Sequence, residues 1–415
     1  MSRTTAPPAP TPAVSPAVLA ARTAVAVVFA LNGLAVATWF SRVPAAREAL
    51  GLTPGGLGLL LLAMSVGALL AMPTAGLVAQ RLGTGRTVAF STMFVAAGLA
   101  VAGLSASLGG SAIGVAIGLC ALGYGSGTCD VAMNVEGAAV ERRLGRTIMP
   151  RFHAAWSLGS VAGAGIGAGA ARLGLPVATH LVVLASVVLL GTLVAARSFL
   201  PVDESGEAAA PADRRRDLLA AWREPRTLLI GLLVLVAAFA EGSANDWLAV
   251  AFVDGHDLSE AAGAAVFGLF VVGMTLGRTA GTVLLDRWGR VPVLTGAILL
   301  ATLGAAVAVL AGPRWLAITG VALWGLGASL GFPVGMSAAA DEESRAPARL
   351  SVVAVIGYTA FLGGPPLLGL LGDRVGILHA LLVVPLLLLP TLALVPAARP
   401  PVRPSAHPPA RPSAH

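Results

Sequence analysis

The chain has no lysine: all 27 basic residues are arginine, set against 20 acidic residues. Charge of either sign is scarce, 11% of 415 residues, while 56% are hydrophobic. That balance excludes a soluble domain with an apolar core beneath a charged surface; the solvent has to be lipid. Cysteine is rarer still. Cys120 and Cys129 stand nine apart in an apolar segment, too few for a disulfide framework or a zinc site, and read as packing residues. No H-E-x-x-H, no G-x-S-x-G, no clustered histidines and no phosphate-binding glycine loop after a strand occur, so neither an enzyme nor a bound metal or cofactor is expected. The first twenty residues lack an apolar core of the signal-peptide kind, so cleavage is not expected. Residues 1–21 and 399–415 are rich in Pro and Ala and are expected to be disordered tails.

Long apolar runs fill the rest. A bilayer core of about 30 Å needs about 20 apolar residues per helix, and only helices or closed barrels can cross it. The runs are too long and too unalternating for barrel strands, so the expected class is an all-α membrane protein with twelve transmembrane helices, at 22–41, 55–79, 87–106, 111–135, 149–171, 176–198, 227–251, 261–284, 291–311, 315–339, 349–371 and 376–396. A hydrophilic stretch, 201–225, separates six-helix bundles at 22–200 and 226–398. With both termini on one side, that side holds 21 arginines; the other holds Arg42, Arg47, Arg172, Arg314 and Arg374, and Arg278 lies within a span. The positive-inside rule then puts both termini in the cytoplasm. Because topology accounts for the arginines, nucleic acid is not an expected partner; the lipid bilayer, a small-molecule substrate and protons are, with the chain a monomer in a bacterial inner membrane.

The halves echo each other. Gln80-Arg81-x-Gly83 follows the second span and Asp286-Arg287-x-Gly289 the eighth, 206 residues apart, while Leu122, Gly123 and Gly127 recur as Leu326, Gly327 and Gly331 at an offset of 204. An internal repeat of this kind is a common build for carriers whose halves rock about a central site.

Ionisable groups inside apolar spans cost at least about 2.5 kcal/mol, so they tend to face a cavity or a partner. On the fourth span Asp130 and Asn134 are i, i+4 and share a face; Asp130 reads as facing the cavity, for proton coupling or substrate, with Asn134 lining it, and Glu136 as a helix-end partner of Arg142 or Arg143. Glu241 is the deepest acid of the seventh span, about 22 Å along the axis from Arg226; proton coupling, substrate contact or a permanent bond to backbone or Asn245 are all open to it. Asp246 and Trp247 lie nearer the outer surface, as gate or interfacial anchor. Asn32, Trp39 and Arg42 follow an i, i+7, i+10 spacing from mid-membrane to the outer rim: Asn32 suits a hydroxyl-rich solute or an interhelical bond, Trp39 the aromatic belt, and Arg42 a gate. Trp156 and Tyr358 are candidates for packing or cavity lining. For Arg278 an inner gate with Asp130 competes with snorkelling or a pair with Asp286. Gly159, Gly163 and Gly167 on the fifth span, and Gly273, Gly277 and Gly281 on the eighth, have the GxxxGxxxG spacing of close helix packing.

The loop Thr282 to Arg290 (TVLLDRWGR), with its weaker copy Gly76 to Arg86, resembles the G-x-x-x-D-R-x-G-R/K signature of the major facilitator superfamily. The resemblance implies that Gln80, Arg81, Asp286 and Arg287 belong to latches of the inward-closed state, although Gln80 replaces the acid. It also implies that the fifth and eighth spans meet across the halves, their glycines forming a sliding seam. WFSRVPAAREALGLTPGGLG (39–58), GYGSGTCDVAMNVEG (123–137), RFHAAWSLGS (151–160), EGSANDW (241–247) and GYTAFLGGPPLLG (357–369) resemble the bacterial branch of YbjJ and the rhizopine-associated MosC protein. The expected function is secondary transport of a small polar solute, sugar- or cyclitol-like, coupled to protons by alternating access. The alternatives are an efflux antiporter, against which the missing R-x-x-x-G and Gly-Pro motifs count, and a membrane sensor without transport.

Overall fold

A computed structural model describes residues 15–145, 148–200, 211–342 and 345–400, which are helical almost throughout. The helices are α1 (Pro16–Phe40), α2 (Val43–Leu50), α3 (Pro54–Leu82), α4 (Thr84–Leu108), α5 (Ala112–Leu144), α6 (Met149–Arg172), α7 (Val177–Ala196), α8 (Pro211–Ala221), α9 (Pro225–His256), α10 (Glu260–Trp288), α11 (Arg290–Leu310), α12 (Arg314–Ala328), α13 (Gly331–Ala339), α14 (Ala346–Val375), α15 (Ile377–Ala380) and α16 (Val383–Thr391), the last followed by a 3₁₀ turn, Leu392–Ala398. Among the described residues, eleven segments are long and apolar enough to span a bilayer. α6 completes twelve: Arg151, His153, Ser157 and Ser160 dilute it, yet it packs between α1 and α10. α12 with α13 makes the tenth span, and α15, α16 and the 3₁₀ turn make the twelfth. Both interruptions precede a proline, Pro333 and Pro385, which has no N–H to continue the ladder.

The ends carry the expected punctuation. Ser15, Thr53, Ser111 and Ser259 cap α1, α3, α5 and α10 by accepting from the backbone N–H three residues on. α1 therefore starts at Pro16, inside the stretch assigned to a disordered tail, and α8 lies within the stretch read as hydrophilic loop. The tail assignments at 1–14 and 401–415 fall outside the described residues.

The two six-helix halves are copies in their packing. Gly83 and Gly289 both take positive φ, 78° and 77°, and donate to the carbonyls of Ala79 and Leu285; only glycine makes that turn without strain, which is why the short loop keeps one. A Cβ on Gly67 would crowd Cys120 and Tyr124, and one on Gly273 would crowd Ala322 and Leu326. Gly123 meets Met64 as Gly325 meets Phe270, and Gly125 meets Ser91 as Gly327 meets Ala297. These pairs place α3 and α10 at an offset of 206 but α5 and α12 at 202, correcting the 204 read from sequence. The difference is four residues, one helical turn, by which α11 is shorter than α4.

The halves meet along two seams, α3 with α14 and α6 with α10. Both seams lie toward the face opposite the termini, the far face. There Asp373 accepts from the Gly55 amide at 2.9 Å, Arg47 pairs with Asp254, and Ala164 would touch a Cβ on Gly268 at 3.4 Å. Farther in, Pro365 leaves the Phe361 carbonyl without its helical donor, and Ser65 of the other half supplies one at 2.6 Å. Toward the face that carries the termini, Met72 of α3 and Asp130 of α5 are exposed, and α5 does not pack closely on α13. The far face is closed, and a vestibule opens between the halves at the terminal face.

Candidate functional site

At the closed end of that vestibule α1, α6, α9 and α10 enclose a pocket lined by Phe40, Trp156, Ser157, Ser160, Glu241, Asn245, Phe267, Met274, Thr275 and Arg278. Its volume, about 30 Å³, has room for a water or two. Arg278 Nη2 donates to both oxygens of Glu241, at 3.1 and 3.3 Å. Both side chains keep some access to the pocket, 28% and 16%. Asn245 is one turn from Glu241 on the same face.

Arg278 therefore meets Glu241 of its own half rather than Asp130 or Asp286, and the two stand at one level in the membrane. Helix counting contains that answer: from the α9–α10 turn, Glu241 lies 15 residues before His256 and Arg278 lies 18 after Glu260. Depth measured from the terminal ends, across two halves, obscured it.

Asp130 is exposed to the vestibule from α5, where Asn134 Nδ2 donates to its carbonyl at 2.8 Å and to Oδ1 at 3.1 Å. Tyr358 of α14 is near enough to feel the Asp130 charge and lies edge-on to Phe332 at 6.4 Å and tilted against Phe361 at 6.0 Å. At the offsets above, Asp130 corresponds to Phe332 and Arg278 to Met72, so the repeat duplicates the scaffold and not the charges. His153, beside Phe29 at 5.2 Å, feels Arg278.

Other expectations change. Asn32 accepts from Ser126 at 3.1 Å, the interhelical bond. Trp39 and Trp247 are both fully buried, so neither belongs to an aromatic belt. Arg42, beyond the end of α1, turns into its own half and donates to Leu175 O at 2.8 Å; Asp246 is half-buried and makes no ion pair among the described residues. The charged pair that joins the halves at the far face is instead Arg47 with Asp254. Glu136 accepts from Thr84 Oγ1 and the Leu200 amide, each at 2.6 Å. At the terminal face Gln80, Arg81 and Asp286 are exposed, and Arg287 lies over the Trp288 ring at 5.8 Å.

The glycine stripes also face elsewhere. Cβ atoms on Gly159, Gly163 and Gly167 would strike Ala30 and Leu34 of α1 and Ser41 just past its end; on Gly273, Gly277 and Gly281 they would strike Ala322, Leu326 with Ser329, and Leu330. Each stripe binds its helix within its own half, and α6 meets α10 through other residues. GxxxG spacing identifies a close approach without naming the partner. Missed in the sequence were Ser157, Ser160, Thr275 and Phe267; the signal available was the poor hydropathy of α6, a span that carries polar groups because it faces a cavity.

The Major Facilitator Superfamily profile matches residues 25–342 and 230–414. An uncharacterised MFS-type transporter of Yersinia pestis is 32% identical over 363 residues, 87% of this chain and 91% of that protein. Membrane protein MosC of Rhizobium meliloti is 28% identical over 370 residues, 87% and 86% of the two chains. Among solved structures a point mutant of the nucleoside transporter NupG superposes with a TM-score of 0.76 at 12% identity, covering 91% of this chain and 99% of that one. A bacterial homologue of the lysosomal transporter Spinster, inward-facing and unoccupied, gives 0.70 at 14%, covering 92% and 97%. The chain belongs to the Major Facilitator Superfamily, with MosC among its relatives, and is a multi-pass membrane transporter of the secondary type.

Proposed function

We propose that this transporter moves a small polar solute, sugar- or cyclitol-like, by alternating access in a bacterial inner membrane with both termini cytoplasmic, and that Glu241 couples the movement to protons. The observation that carries the reading is the Arg278–Glu241 pair where the halves meet, with Asn245, Ser157 and Ser160 beside it. Protonating Glu241 would release Arg278, whose Nε and Nη1 have no partner among the described residues, to hydrogen-bond a solute oxygen. Trp156 offers a flat apolar face for a ring. Asp130 and Asn134 lie on the path from the terminal face. The names of the structural neighbours, a nucleoside transporter and a fucose:proton symporter, belong to hydroxyl-rich solutes and set the order of trial compounds.

The test is a thermal-shift screen of sugars, cyclitols, nucleosides and cationic drugs on the purified protein, followed by uptake of the stabilising compound into vesicles with and without a protonophore. Glu241→Gln is expected to bind the compound and exchange it across the membrane, while losing accumulation driven by a proton gradient. Undiminished gradient-driven accumulation by the variant would remove Glu241 from the coupling role, and stabilisation by cationic drugs alone would favour efflux.

A further inference from the structure

Near the far end of the first half, six buried side-chain atoms lack a hydrogen-bond partner among the described residues: Thr38 Oγ1, Trp39 Nε1, Arg42 Nε and Nη1, and both ring nitrogens of His180. The four residues are between 0% and 4% exposed. Buried polar groups are nearly always paired, and a group of orphans signals water or an ion.

Three of these side chains converge. Leu31 of α1 fills the space a Cβ on Gly191 of α7 would need, at 2.8 Å. Eleven residues farther along these antiparallel segments stand Arg42 and His180, which brings them level, and the charge of Arg42 acts on His180. Thr38 lies in the last turn of α1, four residues before Arg42 in the chain. From α6, Gly167 closes the space: its missing Cβ would lie 3.7 Å from His180 Cε1 and against the Ser41 hydroxyl, which is already spent on Thr38 O at 2.8 Å.

The chemistry of this set is one-sided. Arg42 uses Nη2 on Leu175 O and keeps Nε–H and Nη1–H free; Thr38 adds a hydroxyl and a neutral His180 one N–H. Against these donors the acceptors are one His180 nitrogen and the Thr38 hydroxyl oxygen, both neutral. No carboxylate forms an ion pair with Arg42 among the described residues; Glu260, across the seam on α10, is the acid whose charge reaches it. Burial pulls the Arg42 guanidinium below its ordinary pKa, with Glu260 opposing, yet an arginine remains charged. Water has to find acceptors as well as donors, whereas an anion needs donors alone and supplies the missing negative charge.

We infer that Arg42, His180 and Thr38 form a buried site for a small monovalent inorganic anion of halide size, chloride being the abundant example. The site goes beyond the transport reading and does not depend on it. The anion neutralises Arg42 at the elbow between α1 and α2, and so steadies the segment whose Arg47 closes the far face.

The experiment compares thermal unfolding of the purified full chain in sodium chloride, bromide and gluconate at constant ionic strength, with crystals grown in bromide for anomalous diffraction. Chloride and bromide are expected to raise the unfolding temperature saturably over gluconate. Thr38→Val and His180→Leu should each shift the half-saturating halide concentration at least about fivefold upward, and an anomalous peak should lie within about 3.5 Å of Arg42 Nη1. Equal unfolding temperatures in chloride and gluconate, or unshifted midpoints in both variants, would overturn the site. So would a bromide map with water alone at Arg42, a measurement on the unaltered protein that holds even if the variants do not fold.

Discussion

At the scale of single residues, a carboxylate held by several donors sets a pH dependence that can be measured. Outside the membrane spans, Glu224 receives hydrogen bonds from Arg349 at 2.6 and 2.7 Å and from Thr227 at 2.7 Å. Burial pushes its carboxyl up, but these bonds outweigh burial and hold its pKa below the ordinary value of 4.5. A carboxylate depressed on folding stabilises the protein above its unfolded pKa, and that contribution fades as pH falls through the folded value. Glu224→Gln should accordingly lower the unfolding temperature at pH 6 to 7, and the gap from the unaltered protein should narrow below about pH 4. A gap that stays constant from pH 7 to pH 3.5 would show that the carboxylate charge contributes nothing there. Legibility at this scale was uneven. Asp130 with Asn134 followed from their i, i+4 spacing, whereas Arg278's partner required knowing which helices fold back on one another. His180 carried no sequence signal, since a lone histidine in an apolar span has no period to betray it.

At the scale of elements, the spans were legible because lipid imposes a length and a composition that no other environment does. Their breaks were less so: Pro333 and Pro385 interrupt a span, while Pro365 and Pro366 sit inside the continuous α14, where Ser65 takes up the freed carbonyl. Which helix a glycine stripe faces is a three-dimensional fact. It changes what substitution does. Leucine at Gly163 or Gly273 would force side-chain carbon against Leu34 O at 2.6 Å or Ala322 O at 2.8 Å, and at Gly98 against Leu122 N at 2.5 Å. All three should destabilise their own half by about 2 kcal/mol or more. Gly165, with nothing within 4 Å of its missing Cβ, should accept leucine with an unfolding temperature within about 2 °C of the parent. Unfolding monitored in detergent distinguishes these outcomes; a stable Gly98→Leu protein would contradict the packing of α4 on α5.

At the scale of the whole molecule, two seams hold the far face shut while the terminal face stands open. Alternating access requires both seams to part. A Cys120→Ser, Cys129→Ser background carrying Arg47→Cys and Asp254→Cys is expected to be bridged by a short bifunctional methanethiosulfonate reagent, because Arg47 and Asp254 already pair across the halves and the reach of the arginine calls for a spacer rather than a direct disulfide. The cross-linked protein should lose transport, and reductant should restore it. Transport that persists with the bridge formed would mean that the far face opens somewhere other than between α2 and α9.

The direction of the glycine stripes has a consequence for chain continuity. Most of the tightest helix-to-helix approaches, such as Gly159 on Ala30, Gly67 on Cys120, Gly123 on Met64 and Gly327 on Ala301, lie inside one half or the other, while Gly58 on Pro365 and Gly369 on Pro54 come comparably close across the α3–α14 seam, so each half carries packing for its own assembly and a fitted surface for its partner. The peptide link between them then serves chiefly to keep two partners at high local concentration. A gene cut between codons 205 and 206 and expressed as two polypeptides should yield fragments that insert separately, copurify through the α3–α14 and α6–α10 seams, and unfold within about 10 °C of the intact protein. Fragments that insert but never associate would show that the covalent tether, and not the seams, makes the pair.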